Sequence, residues 1–317
     1  MELGELKVLV TGGAGFIGSH LVEGLLSAGY DVGVLDDFTT GMESNIENHL
    51  ESIKLHKGSV ADKTFVRKTV KGYDSILHDA ARVSVVRSVE DPLSTNMVNS
   101  SGTLNLLTAS VDLGVERFVY ASSSSVYGET PTLPKVETMP LRPISPYAVS
   151  KLTGENYCKV FARVYGLTTI SLRYFNVYGP RQMAGPYSGV IPSFTKKALW
   201  GEPPIIFGDG TQTRDFTHVK DVVQANLLCL KQAVEGGEVF NVGSHEQTSL
   251  NELAKLVCNL TGRDDLEPIH QPPRGGDISH SYADISKITR VLGYKPSFNI
   301  ESGLAQVVQW FRQSSHS

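Results

Sequence analysis

Lys7-Val8-Leu9-Val10-Thr11-Gly12-Gly13-Ala14-Gly15-Phe16-Ile17-Gly18 runs from a short β-branched segment into a glycine-rich turn. Leu21, Val22, Leu25 and Leu26 then recur at helical spacing, so the stretch reads as strand, glycine turn, helix. Gly13-x-Gly15-x-x-Gly18 has the spacing of a dinucleotide-binding turn, where glycines permit a tight bend, close approach of backbone to pyrophosphate, and close packing of helix on strand. Alone the pattern is weak evidence; its neighbours decide. A second strand over residues 31–35 ends in Asp36, close to the usual spacing of about 20 residues after the turn. An acid there accepts from ribose hydroxyls and repels a 2'-phosphate, favouring NAD over NADP.

The alternation continues with expected strands over 53–56, 75–78, 117–121 and 168–173, separated by helical stretches such as 93–113 and 147–165. Strands alternating with helices imply a parallel, doubly wound α/β sheet with right-handed crossovers, whose ligands sit at the strand C-terminal ends. Chemistry-bearing residues fall there: residues 12–18, Asp36, Asp79-Ala80-Ala81, the serine run 122–125, and Asn176. A local pair between Asp79 and Arg82 is an expectation without an evident purpose. Beyond Asn176 the chain is punctuated by Pro and Gly, which suggests a smaller C-terminal domain. The division expected is 1–177 and 178–317, with residues of about 214–243 packing back on the first domain. Arg214 and Arg274 each stand beside turn formers and near an acid, an arrangement suited to a diphosphate or to an ordinary surface arginine.

Ser145-Pro146-Tyr147-Ala148-Val149-Ser150-Lys151 holds the candidate catalytic pair. Serine followed by proline is a helix start, so Tyr147 and Lys151, four apart, share one face. Bringing a tyrosine from near ~10 to neutral pH requires about 4 kcal/mol of favourable charge interaction. A lysine and a cationic nicotinamide ring in a water-poor cleft could supply it.

The bulk figures bound the rest. The 317 residues are 40% hydrophobic and 20% charged, values of a globular chain with a sizeable core. A net charge of −4 argues against broad nucleic-acid binding. Cys158, Cys229 and Cys258, with no metal-ligand spacing, read as core residues of a protein from a reducing compartment and predict no metal. No run approaches the ~18 apolar residues of a membrane span, so a cytoplasmic location is expected.

Gly12-Gly-Ala-Gly-Phe-Ile-Gly18, His78-x-Ala-Ala81, Asn99, Ser122-Ser-Ser-Ser-Val-Tyr-Gly128, Ser145-Pro-Tyr-x-x-Ser-Lys151, Arg173-Tyr-Phe-Asn-Val-Tyr-Gly-Pro-Arg181, Gln212-Thr-Arg-Asp-Phe216 and Tyr282-Ala-Asp284 together resemble the extended short-chain dehydrogenase/reductases, and within them the UDP-glucose 4-epimerase type. The resemblance implies a Rossmann-type sheet with a smaller α/β substrate domain, an NAD prosthetic group and a homodimer packed through 93–113 and 147–164, the latter carrying Leu152, Val160, Phe161 and Val164. It implies a catalytic set of Ser123, Tyr147 and Lys151. For the cofactor it implies Gly12, Gly15, Phe16, Ile17, Gly18, Asp36, Asp37, Ser59, Val60, Ala80, Ala81, Asn99, Ser122, Tyr147 and Lys151. Ser59 departs from the family pattern, which has an acid facing adenine. For the UDP-sugar it implies Ser123, Asn176, Val190, Phe207, Arg214, Arg274 and Asp277, with Ser281 as a size gate before Tyr282. Ser124 and Ser125 stand where dehydratases and decarboxylases of the family carry acids, so a transient 4-keto sugar and inversion at C4 are expected, on plain and acetylated hexoses. Alternatives are a UDP-glucuronate 4-epimerase, with Arg181 as the carboxylate's cation, or a net NAD-dependent oxidoreductase.

Overall fold

The computed structural model describes residues 6–185, 189–273 and 279–314. Seven parallel strands form the central sheet: β1 (Lys7–Thr11), β2 (Asp31–Asp36), β3 (Ile53–Lys57), β4 (Ser75–His78), β5 (Arg117–Ser123), β6 (Thr168–Tyr174) and a last strand, Glu238–Val242. The order runs from Glu238–Val242 through β6, β5, β4 and β1 to β2 and β3, so the chain reverses its winding beside β1, where a crevice opens. The expected sheet therefore gains one strand, contributed by the C-terminal half and paired with β6 from Glu238 opposite Ile170 to Val242 opposite Tyr174.

Alternation along each strand sends side chains to two separate cores. Val8, Val10, Val32 and Val34 pack with Leu21, Val22 and Leu25 of α1 (Phe16–Ser27), while Leu9, Leu35, Ile76 and Phe118 face Val66, Leu106, Leu107 and Phe161 on the other side. The helices there are α2 (Lys63–Val70), α3 (Val85–Glu90), α4 (Pro92–Asn96), α5 (Gly102–Leu113) and α6 (Pro146–Tyr165). Between α4 and α5 the single helix expected over 93–113 widens into a π turn, Met97–Ser101, which holds Asn99. Such wide turns expose a side chain or carbonyl at a chosen point.

The C-terminal half builds a third core from Ile191, Phe194, Leu253, Val257, Leu304 and Val307. Its helix Val219–Lys231 and the helix Ser286–Leu292 pack against the sheet through Val222, Val223, Ile288 and Leu292. The three cysteines are buried and unpaired. No helix among the described residues is long and apolar enough to cross a membrane.

Candidate functional site

At the C-terminal ends of β1, β2, β4, β5 and β6 lies a cavity of about 650 Å³. Its floor is the glycine turn. Gly12 has φ +74°, and a Cβ there would stand 2.8 Å from the Ala80 backbone; a Cβ on Gly18 would stand 2.0 Å from the Gly12 carbonyl. Only glycine lets the turn, β4 and α1 come this close. Helix α1 starts at Phe16 from Gly15, with no side chain capping its first N–H groups, which leaves a cradle for a phosphate. Asp36 ends β2 on the cavity wall, its carboxylate accepting from Ala14 N–H at 2.9 Å and Phe38 N–H at 2.8 Å. Burial raises its pKa and those two bonds oppose the rise. The cradle, the acid and the volume of the cavity fit a dinucleotide.

Of the residues expected at the cofactor, Gly12, Gly15, Phe16, Ile17, Asp36, Asp37, Val60, Ala80, Ala81, Ser122, Tyr147 and Lys151 line this cavity. The other three lie off the cavity lining. Gly18 acts one layer below, as the contact surface for Gly12. Ser59 turns its hydroxyl to Ala61 N–H, and Gly58 and Val60 form the wall at that level. Asn99 is buried and spends its amide on the Arg82 backbone in both directions, at 2.7 and 3.1 Å, and on Ser150 Oγ at 2.9 Å. It therefore holds the 80–82 wall instead of lining it.

Ser145 caps α6 by accepting from Ala148 N–H at 3.1 Å, and Pro146 opens its first turn. One face of α6 then brings Tyr147 and Lys151 to the cavity, opposite Ser123 at the end of β5. Lys151 Nζ donates to the Ala121 carbonyl at 2.8 Å and lies 5.9 Å from the centre of the Tyr147 ring. Burial lowers the Lys151 pKa to about 8 against the pull of Asp79. In the protein alone, burial raises the Tyr147 phenol to about 12, Ser123 opposes by hydrogen bonding, and the Asp79 charge adds to the rise. The protein alone keeps this phenol protonated at neutral pH.

Asp79 and Arg82 do not pair. Arg82 reaches Thr39 Oγ1 at 3.4 Å, whereas Asp79 lines the cavity and couples to Lys151. Arg181 bonds to Glu23 at 2.7 Å, to His20 and to the Asn45 carbonyl, so its guanidinium ties α1 to the loop after β6. Sequence reasoning missed Gln182, on the cavity wall, and Glu155, which accepts from Ser122 Oγ at 3.2 Å. The latter stands four residues after Lys151, a spacing that places it on the same helical face.

A second cavity of about 240 Å³ shares Asn176, Gln182 and Arg214 with the first and is also lined by Val190 and Phe207. Four residues distant in sequence and expected at the nucleotide-sugar thus meet in one place. Ser281 lines the first cavity, held by its N–H on the Thr213 carbonyl at 3.1 Å. Arg274 and Asp277, also expected there, lie outside the described residues.

The comparisons with known proteins agree with this geometry. Residues 8–243 match the model of the NAD dependent epimerase/dehydratase family. The UDP-glucose 4-epimerase of Mycolicibacterium smegmatis is 40% identical over 98% of this chain and all of its own length. Among solved structures, the UDP-glucose 4-epimerase of Thermotoga maritima with UDP-glucose aligns with a TM-score of 0.94 at 40% identity, covering 98% of this chain and 100% of that one. The UDP-N-acetylglucosamine 4-epimerase of Methanobrevibacter ruminantium, in complex with UDP-N-acetylmuramic acid, aligns at 0.93 and 37% identity, covering 98% and 99%. With its glycine cradle, its acid at the end of β2 and its Tyr–Lys–Ser cluster on one cavity, the chain belongs to the NAD-dependent epimerase/dehydratase family, as an extended short-chain dehydrogenase/reductase of the UDP-sugar epimerase group that uses NAD.

Proposed function

We propose that this chain inverts C4 of UDP-glucose and UDP-galactose, and of the corresponding N-acetylhexosamines. The observation carrying the proposal is the convergence of Ser123, Tyr147 and Lys151 on a cavity in which Ser124 and Ser125 supply hydroxyls and no carboxylate. A hydroxyl cannot replace the general acid that β-elimination or decarboxylation needs. NAD, when bound, supplies the reversible redox chemistry at C4. Tyr147 takes the proton from the sugar 4-hydroxyl through its phenolic oxygen and later returns it, with Ser123 sharing that proton. Lys151, anchored on Ala121, is the cation that favours the phenolate. Asn176 and Arg214 hold the diphosphate and Phe207 stacks on the base, each by its place on the second cavity. A uronate-specific reading is disfavoured because Arg181, its cation, is engaged by Glu23.

The small side chain of Ser281 on the cavity wall, and the similarity to epimerases of both plain and acetylated sugars, support the wider substrate range. Incubation with a panel of UDP-sugars, no cofactor added, tests it by product separation. Both sugar pairs should interconvert, and accumulation of a keto product with stoichiometric NADH absorbance would contradict epimerisation. Ser281→Tyr should lower kcat/KM for the acetylated pair by about 10–200-fold, the range of pocket-size discrimination, and largely spare the plain pair. An equal loss on both removes Ser281 as a gate.

A homodimer belongs to the same proposal. Val89, Leu93 and Val164 are 65%, 79% and 63% exposed on α3, α4 and α6, and Met97 and Val160 are exposed as well. Such a band of large apolar side chains marks an interaction surface. Phe161 and Leu152, expected in the same stripe, instead pack into cores of the subunit. Sedimentation at micromolar concentration should give twice the 34.5 kDa chain mass, and a single species at the chain mass refutes the dimer.

A further inference from the structure

We infer that binding of NAD by this chain takes up a proton onto Asp79, the carboxylate beside the glycine turn that would hold the cofactor's pyrophosphate. The inference depends on the NAD site and not on which sugar is turned over.

Asp79 follows β4, and its N–H donates to the Thr11 carbonyl at 3.2 Å, next to the glycine turn. A Cβ on Gly12 would lie 3.2 Å from the Asp79 carbonyl carbon, so the two backbones touch. From there the carboxylate lines the cofactor cavity beside Gly18, in the first turn of α1. Helix α1 carries no acid in that turn and no side-chain cap, which makes Asp79 the anion this chain brings to the positive end of the helix. A pyrophosphate held at that turn would be a second anion beside it.

The groups facing Asp79 do not neutralise it. From α6 come Lys151 and Tyr147, from the end of β2 comes Asp36, and from the end of β6 comes Tyr174. Lys151 is the cation of this set, but its ammonium is bonded to the Ala121 carbonyl, and no ion pair joins it to Asp79 among the described residues. Burial already raises the Asp79 pKa to about 6, with Lys151 opposing and Asp36 adding. When two anions share a site, one of them takes a proton. Here one proton passes from solvent to the carboxylate as the nucleotide enters, and no other bond changes.

The sign follows from linkage. Below about 6 the free carboxyl is already protonated and contributes no pH dependence to binding. Above that, until the higher pKa of the complex is passed, the dissociation constant of NAD should rise about tenfold per pH unit.

Titration calorimetry of NAD into the full-length chain freed of nucleotide, repeated in buffers of different ionisation enthalpy at about pH 6.5, counts the protons taken up. At that pH Lys151, held near 8, stays protonated. Wild type should take up a substantial fraction of one proton, and Asp79→Asn and Asp79→Leu close to none, with an NAD affinity that is flat across the same pH range. Two variants guard against one that fails to fold, and the wild-type measurement needs neither. No uptake by wild type, or equal uptake by a folded variant, overturns the inference.

Discussion

Tyr147→Phe should lose at least about a hundredfold in turnover while keeping its fold and its bound NAD, the loss being that of a general base. The expectation is specific because the ring stays. Its N–H still donates to Ser88 Oγ at 3.1 Å, and Lys151 still holds the Ala121 carbonyl, so the wall of the cavity is unchanged. Only the ionisable oxygen goes. Since burial sets the phenol at about 12 in the protein alone, turnover by the wild type depends on a phenolate that Lys151 and a cationic ring must stabilise. Steady-state kinetics with UDP-galactose, together with nucleotide release on denaturation, check both halves. Near-normal turnover in the variant would remove Tyr147 from the mechanism.

Arg173→Met should cost about 3–5 kcal/mol of stability, the usual effect of removing one partner of a buried ion pair. Both side chains are all but sealed from water. Arg173 donates to Glu155 through Nη2 at 2.6 Å and Nε at 3.0 Å, and to Tyr127 OH at 2.8 Å; Tyr127 OH in turn donates to Asn241 at 2.7 Å. The network joins β6, α6, the Val126-Tyr127 turn and the last strand directly behind Ser122. Burial opposes the charge on Glu155, but hydrogen bonding and charge from Arg173, with Lys159, hold its pKa below the usual value. A depressed carboxylate contributes stability above its unfolded pKa of 4.5, and that contribution is lost as pH falls through the lower folded value. Urea unfolding of the variant at neutral pH checks the magnitude, and Arg173→Met with Glu155→Leu should recover most of the loss. A drop under about 1 kcal/mol for the single variant would show that Lys159 or water carries the pair.

Much of the site was legible because its residues act through local geometry. Gly12 must bend with positive φ, Ser145 and Pro146 must start a helix, and a four-residue spacing must put Tyr147 and Lys151 on one face. Each is a constraint between near neighbours, so a linear reading finds it. For Asn99 and Ser59 the partners were not legible, for the converse reason. Their residue types suit a ligand, but Asn99 is claimed by Arg82 and Ser150, and Ser59 by Ala61 N–H. Which polar group a side chain meets depends on packing.

By itself the sequence determined the strand–turn–helix start, the doubly wound alternation of β1 to β6, the acid at the end of β2 and the pairing of Tyr147 with Lys151 on one face of α6. These follow from periodicities of two and 3.6 residues and from backbone freedom at glycine. Only the tertiary structure decided that Glu238–Val242 completes the sheet, that Arg181 serves Glu23 and that Tyr147 is raised by burial. It alone placed Asp79 against the glycine turn in the cofactor cavity. The physical reason is that strand pairing, ion pairing and desolvation are set by distances between residues far apart in the chain, and those distances exist only once the sheet has closed over its helices.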